Sequence, residues 1–140
     1  MSAYSGLSPI DCKDIQNTFS QSGLLVKYNA AGIQITNAIT DLPIGVTIDE
    51  SSRDAAGNLE AAGTGTVSIV PLSGVQYIRC VGGGALKTGE SLYCTTTALG
   101  DGFVNTTAAG AVFVGYYMGE DGVTPAAGSL IPVNCRAEMA

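Results

Sequence analysis

From residue 24 onward the apolar positions fall in short runs cut by turn-forming residues. Leu24-Leu25-Val26-Lys27-Tyr28 and Ile33-Gln34-Ile35-Thr36 flank Asn29-Ala30-Ala31-Gly32, whose opening Asn and closing Gly suit a hairpin loop. The same pattern predicts further strands over 44–49, 66–70, 75–81, 91–95, 103–105, 111–118 and 129–135. Between them lie Asp54-Ala-Ala-Gly57-Asn58, Gly82-Gly83-Gly84, Gly100-Asp101-Gly102 and Glu120-Asp121-Gly122, each with strong turn chemistry. Short strands at near-regular spacing predict an all-β fold, a small antiparallel β-barrel or sandwich over 24–140. The Ala- and Gly-rich stretch 51–65 reads as a long flexible excursion between two strands.

Residues 1–23 lack this rhythm and read as an N-terminal arm. Ser8-Pro9-Ile10-Asp11 offers a Ser N-cap, Pro at the first helical position and an acid at the third. That start could open one or two helical turns through Ile15 or Asn17, and an extended arm is the alternative. Tyr4, Leu7, Ile10 and Phe19 give the arm apolar anchors for a neighbour.

One predicted strand breaks the alternation rule. Ala111, Phe113, Gly115 and Tyr117 share one parity; Val112, Val114, Tyr116 and Met118 share the other, and both are apolar. Such a strand must be covered on both faces, by its own fold or by another subunit. Tyr and Met are favoured at interfaces, so Phe113, Tyr116 and Tyr117 are candidate contact residues.

Composition narrows the chemistry. The chain has 140 residues, enough for one domain with a real core. Only 13% of them are charged, about half the usual share. Histidine is absent, which removes Ser-His-Asp and Cys-His catalysis, His-ligated zinc and haem held through His. A net charge of −6 with scattered bases cannot supply the counterion release that nucleic-acid binding needs. No run approaches the ~20 apolar residues of a membrane span. The start, Met-Ser-Ala-Tyr-Ser-Gly, has neither a basic n-region nor an apolar signal core, so synthesis in a reducing cytoplasm is expected. Cys12, Cys80, Cys94 and Cys135 fit no common zinc spacing and are expected as free thiols packed like small apolar groups. If any bridge forms, Cys80–Cys94 is the pair to inspect.

Catalytic motifs are missing. Leu72-Ser73-Gly74 does not complete a nucleophile elbow, and Gly82-Gly83-Gly84 lacks the Gly-Lys-Ser/Thr of a phosphate loop. Asp49, Glu50 and Asp54 lack calcium-loop spacing and read as a solvated acidic loop. Adjacent Arg79 and Cys80 would point to opposite faces of a strand, so the arginine cannot activate the thiol. No enzyme activity, cofactor or metal is expected.

The order of segments carries a resemblance. Pro43-Ile-Gly-Val-Thr47, Gly65-Thr-Val-Ser-Ile-Val-Pro71, Gly74-Val-Gln-Tyr77 and Gly89-Glu-Ser-Leu-Tyr93 are followed by Val114-Gly115 and Gly128-Ser-Leu-Ile-Pro-Val133. Over residues 24–135 this resembles the small β-barrel capsid decoration, or cement, proteins of tailed bacteriophages. The resemblance implies a structural virion protein on the outer capsid surface, bridging neighbouring subunits of the major capsid protein. It also implies a homo-oligomer, a trimer before a dimer, with no nucleic-acid or membrane partner. The alternative is a β-sandwich recognition module on a head fibre or tail, binding glycan or host surface through Tyr93 and Tyr117.

Overall fold

The computed structural model describes residues 9–135. Its strands are β1 (Ile10–Cys12), β2 (Leu25–Asn29), β3 (Gly32–Ile35), β4 (Gly45–Thr47), β5 (Val67–Pro71), β6 (Gly74–Arg79), β7 (Ser91–Cys94), β8 (Val104–Asn105), β9 (Phe113–Tyr117) and β10 (Leu130–Cys135). They form two five-stranded antiparallel sheets, ordered β1-β5-β4-β2-β3 and β6-β10-β9-β7-β8. The fold is therefore all-β, a sandwich rather than a closed barrel. Leu72-Ser73 carries the chain from the first sheet to the second.

The β2–β3 hairpin shows why its loop needs its residues. The Asn29 side chain accepts the Ala31 amide at 2.8 Å, closing the turn locally. Gly32 sits at φ 129°, and a Cβ there would run into the Asp14 carbonyl. The segment at 51–65 also closes on itself. Asp54 donates its amide to Asn58 at 2.8 Å, Glu60 to Ser52 at 2.7 Å and Ser52 to Thr66 at 2.9 Å. These bonds fold the excursion between β4 and β5 into a small hairpin.

Two apolar clusters define the layers. Leu25, Val46 and Val70 of the first sheet, with Leu72 of the connection, meet Ile78, Leu92, Val114, Ile131 and Val133 of the second. The opposite face of the first sheet, with Val26, Ile33, Val67 and Ile69, is roofed by Ile15, Phe19 and Leu24. Hydrogen bonds fix this roof: Phe19 N donates to Ser51 Oγ at 2.7 Å, and Ser51 N donates to the Phe19 carbonyl at 2.8 Å.

The N-terminal reading changes accordingly. From Ile10 to Gly23 the chain belongs to the sandwich and is not a projecting arm. Ile10–Cys12 pairs antiparallel with Val67–Ile69, so the helical alternative does not form there. A few helical turns are marginal alone, whereas a ladder beside β5 satisfies backbone groups immediately.

Candidate docking face

The two sheets differ in what covers their outer faces. Strand register assigns the outward side chains of the second sheet in rows. One row crosses Tyr77, Pro132 and Met118, since Tyr77 pairs with Pro132 and the Met118 amide donates to the Pro132 carbonyl at 2.9 Å. The next crosses Val75, Asn134, Tyr116 and Ser91. A third joins Phe113, Tyr93 and Asn105. Tyr77 is 62% exposed, Val75 49%, Met118 45% and Leu130 42%. Beyond Tyr77, Leu130 pairs with Arg79, which turns its guanidinium onto the carbonyls of Ser22 and Gly128 at 2.7 and 2.8 Å. The result is an apolar, aromatic face almost free of outward charge. Contiguous patches of this kind mark interaction sites.

A bulge explains the strand that is apolar on both parities. Leu92 lies opposite Gly115, but Tyr93 lies opposite Phe113, so Val114 is the extra residue of β9. The parity switches at that point. Val112, Val114 and Tyr117 turn inward to the core with Gly115, while Phe113 and Tyr116 turn outward. The outward rings stack edge-to-face with Tyr93: Tyr93–Phe113 centroids are 5.8 Å apart and Phe113–Tyr116 centroids 5.1 Å.

Of the residues singled out in the sequence, Phe113 and Tyr116 thus come together on one surface. Tyr117 does not join them. It is buried, and its hydroxyl donates to the Glu120 carbonyl at 3.0 Å. Phe19 is also withdrawn from any docking role, being wholly buried in the roof over the first sheet. Ile10 is exposed, but on β1 in the other sheet. Tyr4 and Leu7 lie outside the described residues. Sequence reasoning missed Val75, Tyr77, Met118, Leu130 and Pro132. Alternation in Gly74-Val-Gln-Tyr-Ile-Arg79 would send Val75 and Tyr77 inward, whereas pairing with β10 turns Gln76 and Ile78 inward instead.

No family model and no curated protein matches this chain.

The remaining polar groups serve the fold. The four cysteines are free, and Cys80, Cys94 and Cys135 are buried. Burial pushes the Cys94 and Cys135 thiols up to about 12, with the Asp41 charge adding to the effect at Cys94. Such thiols stay protonated and behave as apolar filling. An open groove of about 340 Å³ is lined by Asp11, Asp49, Glu50 and Arg53. Arg53 is bound to Glu50 at 2.7 Å, and Asp11 accepts the Ser68 hydroxyl. Among the described residues no group of three or more Cys, Asp or Glu side chains could hold a metal ion.

Proposed function

We propose that this chain is a structural virion protein that decorates the outer surface of a phage capsid and bridges neighbouring capsid subunits. One observation carries the reading: the aromatic, uncharged outer face of the second sheet around Tyr93, Phe113 and Tyr116. The segment resemblance to cement proteins supplies the kind of partner. The mechanism is burial. Aromatic anchors at the centre of an interface are worth about 2 kcal/mol or more each when truncated. Repetition over a symmetric shell multiplies modest single contacts through effective concentration. Each contact must break before the shell can expand, which is how a docked sandwich resists internal pressure.

The test uses purified heads lacking the protein, with wild-type chain or the Phe113→Lys/Tyr116→Lys variant added back. Wild type should co-sediment with heads and raise their disruption temperature, and the variant should do neither while keeping its own melting curve. Heads equally heat-resistant with and without wild type would sink the proposal.

A second reading has its own support. Asn105 lies directly opposite Tyr93, an aromatic–amide pair of the sort that sugar sites use. Binding of isolated protein to a glycan array, lost in Tyr93→Ala, would favour a recognition module.

A further inference from the structure

A partner can add a strand to a sheet edge, lay a helix in a groove, or seat a folded surface on a sheet face. The edges of the second sheet are β6 and β8, and both run against other segments of the chain. Beside β6 the Arg79 amide donates to the Gly23 carbonyl at 2.9 Å, and Arg79 Nε to the Ser22 carbonyl at 2.7 Å. A Cβ at Gly23 would come within 3.3 Å of the Tyr77 carbonyl, so an added strand would find only the Val75 end. Beside β8, Cys80 bridges Val104, and Val81 N donates to the Val104 carbonyl at 3.0 Å. In the first sheet the roof closes β3: Gln16 N donates to the Ile33 carbonyl at 2.7 Å, and Asn17 Oδ1 accepts the Ile35 amide at 2.8 Å. β1 remains, three residues long with Asp11 at its centre.

The cavities touch the outward rows only at their margins. One of about 60 Å³, lined by Cys80, Leu86, Leu92 and Val104, meets them at Asn105. One of about 200 Å³ beside Val46, Thr47 and Ile48 meets them at Tyr77. The rows themselves combine aromatic rings and Met118 with the amides of Asn134 and Asn105, and hold no Lys, Asp or Glu. Protein interfaces have this composition, enriched in aromatic residues and Met and depleted of Lys, Glu and Asp. An anionic lipid surface fits less well, because the net charge is −6 and Glu90, Glu120 and Asp121 stand in the turns at the end of this sheet. Five strands about 4.8 Å apart, carrying rows about 7 Å apart, offer on the order of 500 Å². A standard interface uses about 800 Å² per partner.

Resting on the capsid-surface reading above, we propose that the partner meets this face with a folded, apolar surface of its own, and not with an extended peptide or a single helix. Covered edges deny a peptide the main-chain hydrogen bonds that give strand addition its affinity. Cavities confined to the margins deny a helix the groove that would take its row of anchors. A peptide covering the same area would also lose backbone freedom at every residue it orders, with no ladder to offset the loss. A folded surface is already ordered, so side-chain burial alone can hold it. Contact through a patch of this size is weak at one site and gains strength from repetition over a shell.

Co-sedimentation of the full chain with purified heads that lack it tests this. Bound wild type is challenged with a large excess of the peptides released by trypsin digestion of the same heads, and should fall by less than about twofold. Tyr77→Lys/Met118→Lys, in the row farthest from Phe113, should weaken binding about tenfold or more with an unchanged circular dichroism spectrum. Ile10→Lys, on the β1 edge, should bind as wild type does. Displacement by the digest would overturn the proposal, as would loss of binding in Ile10→Lys while the Tyr77→Lys/Met118→Lys variant still binds. Binding of wild type to phosphatidylcholine–phosphatidylserine vesicles in place of heads would overturn it too. Heads that bind no wild type remove the capsid reading and this inference with it; heads that bind wild type and release it to peptides remove this inference alone.

Discussion

Burial works against the Asp41 carboxylate. Hydrogen bonds from Lys27 and the amides of Asn37 and Ala38, together with the Lys27 charge, outweigh it and hold the carboxyl below its ordinary value of 3.8. A depressed folded pKa stabilises the protein above the unfolded value and loses that contribution as pH falls through the folded one. Asp41→Asn should therefore cost about 1–3 kcal/mol in urea unfolding at neutral pH, and the gap from wild type should close in acid below 3.8. The buried thiols carry the opposite sign. Cys94 and Cys135 are raised from 9.0 to about 12, so their contribution is intact below 9 and drains away as pH climbs toward 12. In that window each thiol should remove about 1.4 kcal/mol per pH unit. Unfolding measured from pH 9 upward should show a shallower slope for Cys94→Ala than for wild type.

Among the elements, β9 and the roof over the first sheet do the most to place the candidate face. Gly115 allows β9 and β10 to approach at the bulge, since a Cβ there would collide with the Asn134 backbone. Gly115→Ala should cost about 1–3 kcal/mol of stability by chemical denaturation. Phe19 fills the centre of the roof, and Phe19→Ala should cost about 3–5 kcal/mol through the cavity it leaves. Strand positions were legible because β-branched runs and Gly-Asp-Asn turns act locally: all nine strands predicted after residue 24 are present. β1 was not legible. Pro9 and Asp11 satisfy helix-start chemistry, and only the neighbouring β5 makes extension the better solution. The Val114 bulge was visible only as an anomaly. Two apolar parities can mean two covered faces or one parity switch, and local sequence cannot separate them.

At the scale of the molecule, one sheet is covered twice and the other once. Removing residues 1–23 should therefore abolish the cooperative thermal transition, because it strips β1, Ile15 and Phe19 from the first sheet. Calorimetry of the truncated chain checks this directly. A free arm would have been expendable. Asp11, Asp49 and Glu50 gather in one groove on the side of the first sheet. Glu90, Glu120 and Asp121 lie in the turns that flank β7 and β9, so the acids at the second sheet stand at its end and not in its outward rows.

The sequence by itself determined the all-β class, the turn positions and the lack of histidine-based chemistry. Each of these depends on residue type or on spacings of a few residues. The sequence left open a Cys80–Cys94 bridge that the structure does not form. Tertiary structure alone decided which aromatic rings face outward, that Phe19 and Tyr117 belong to the interior, and that β6 ends its sheet beside Ser22 and Gly23. Those outcomes hang on register between strands far apart in the chain. A single extra residue such as Val114 turns every side chain beyond it to the other face.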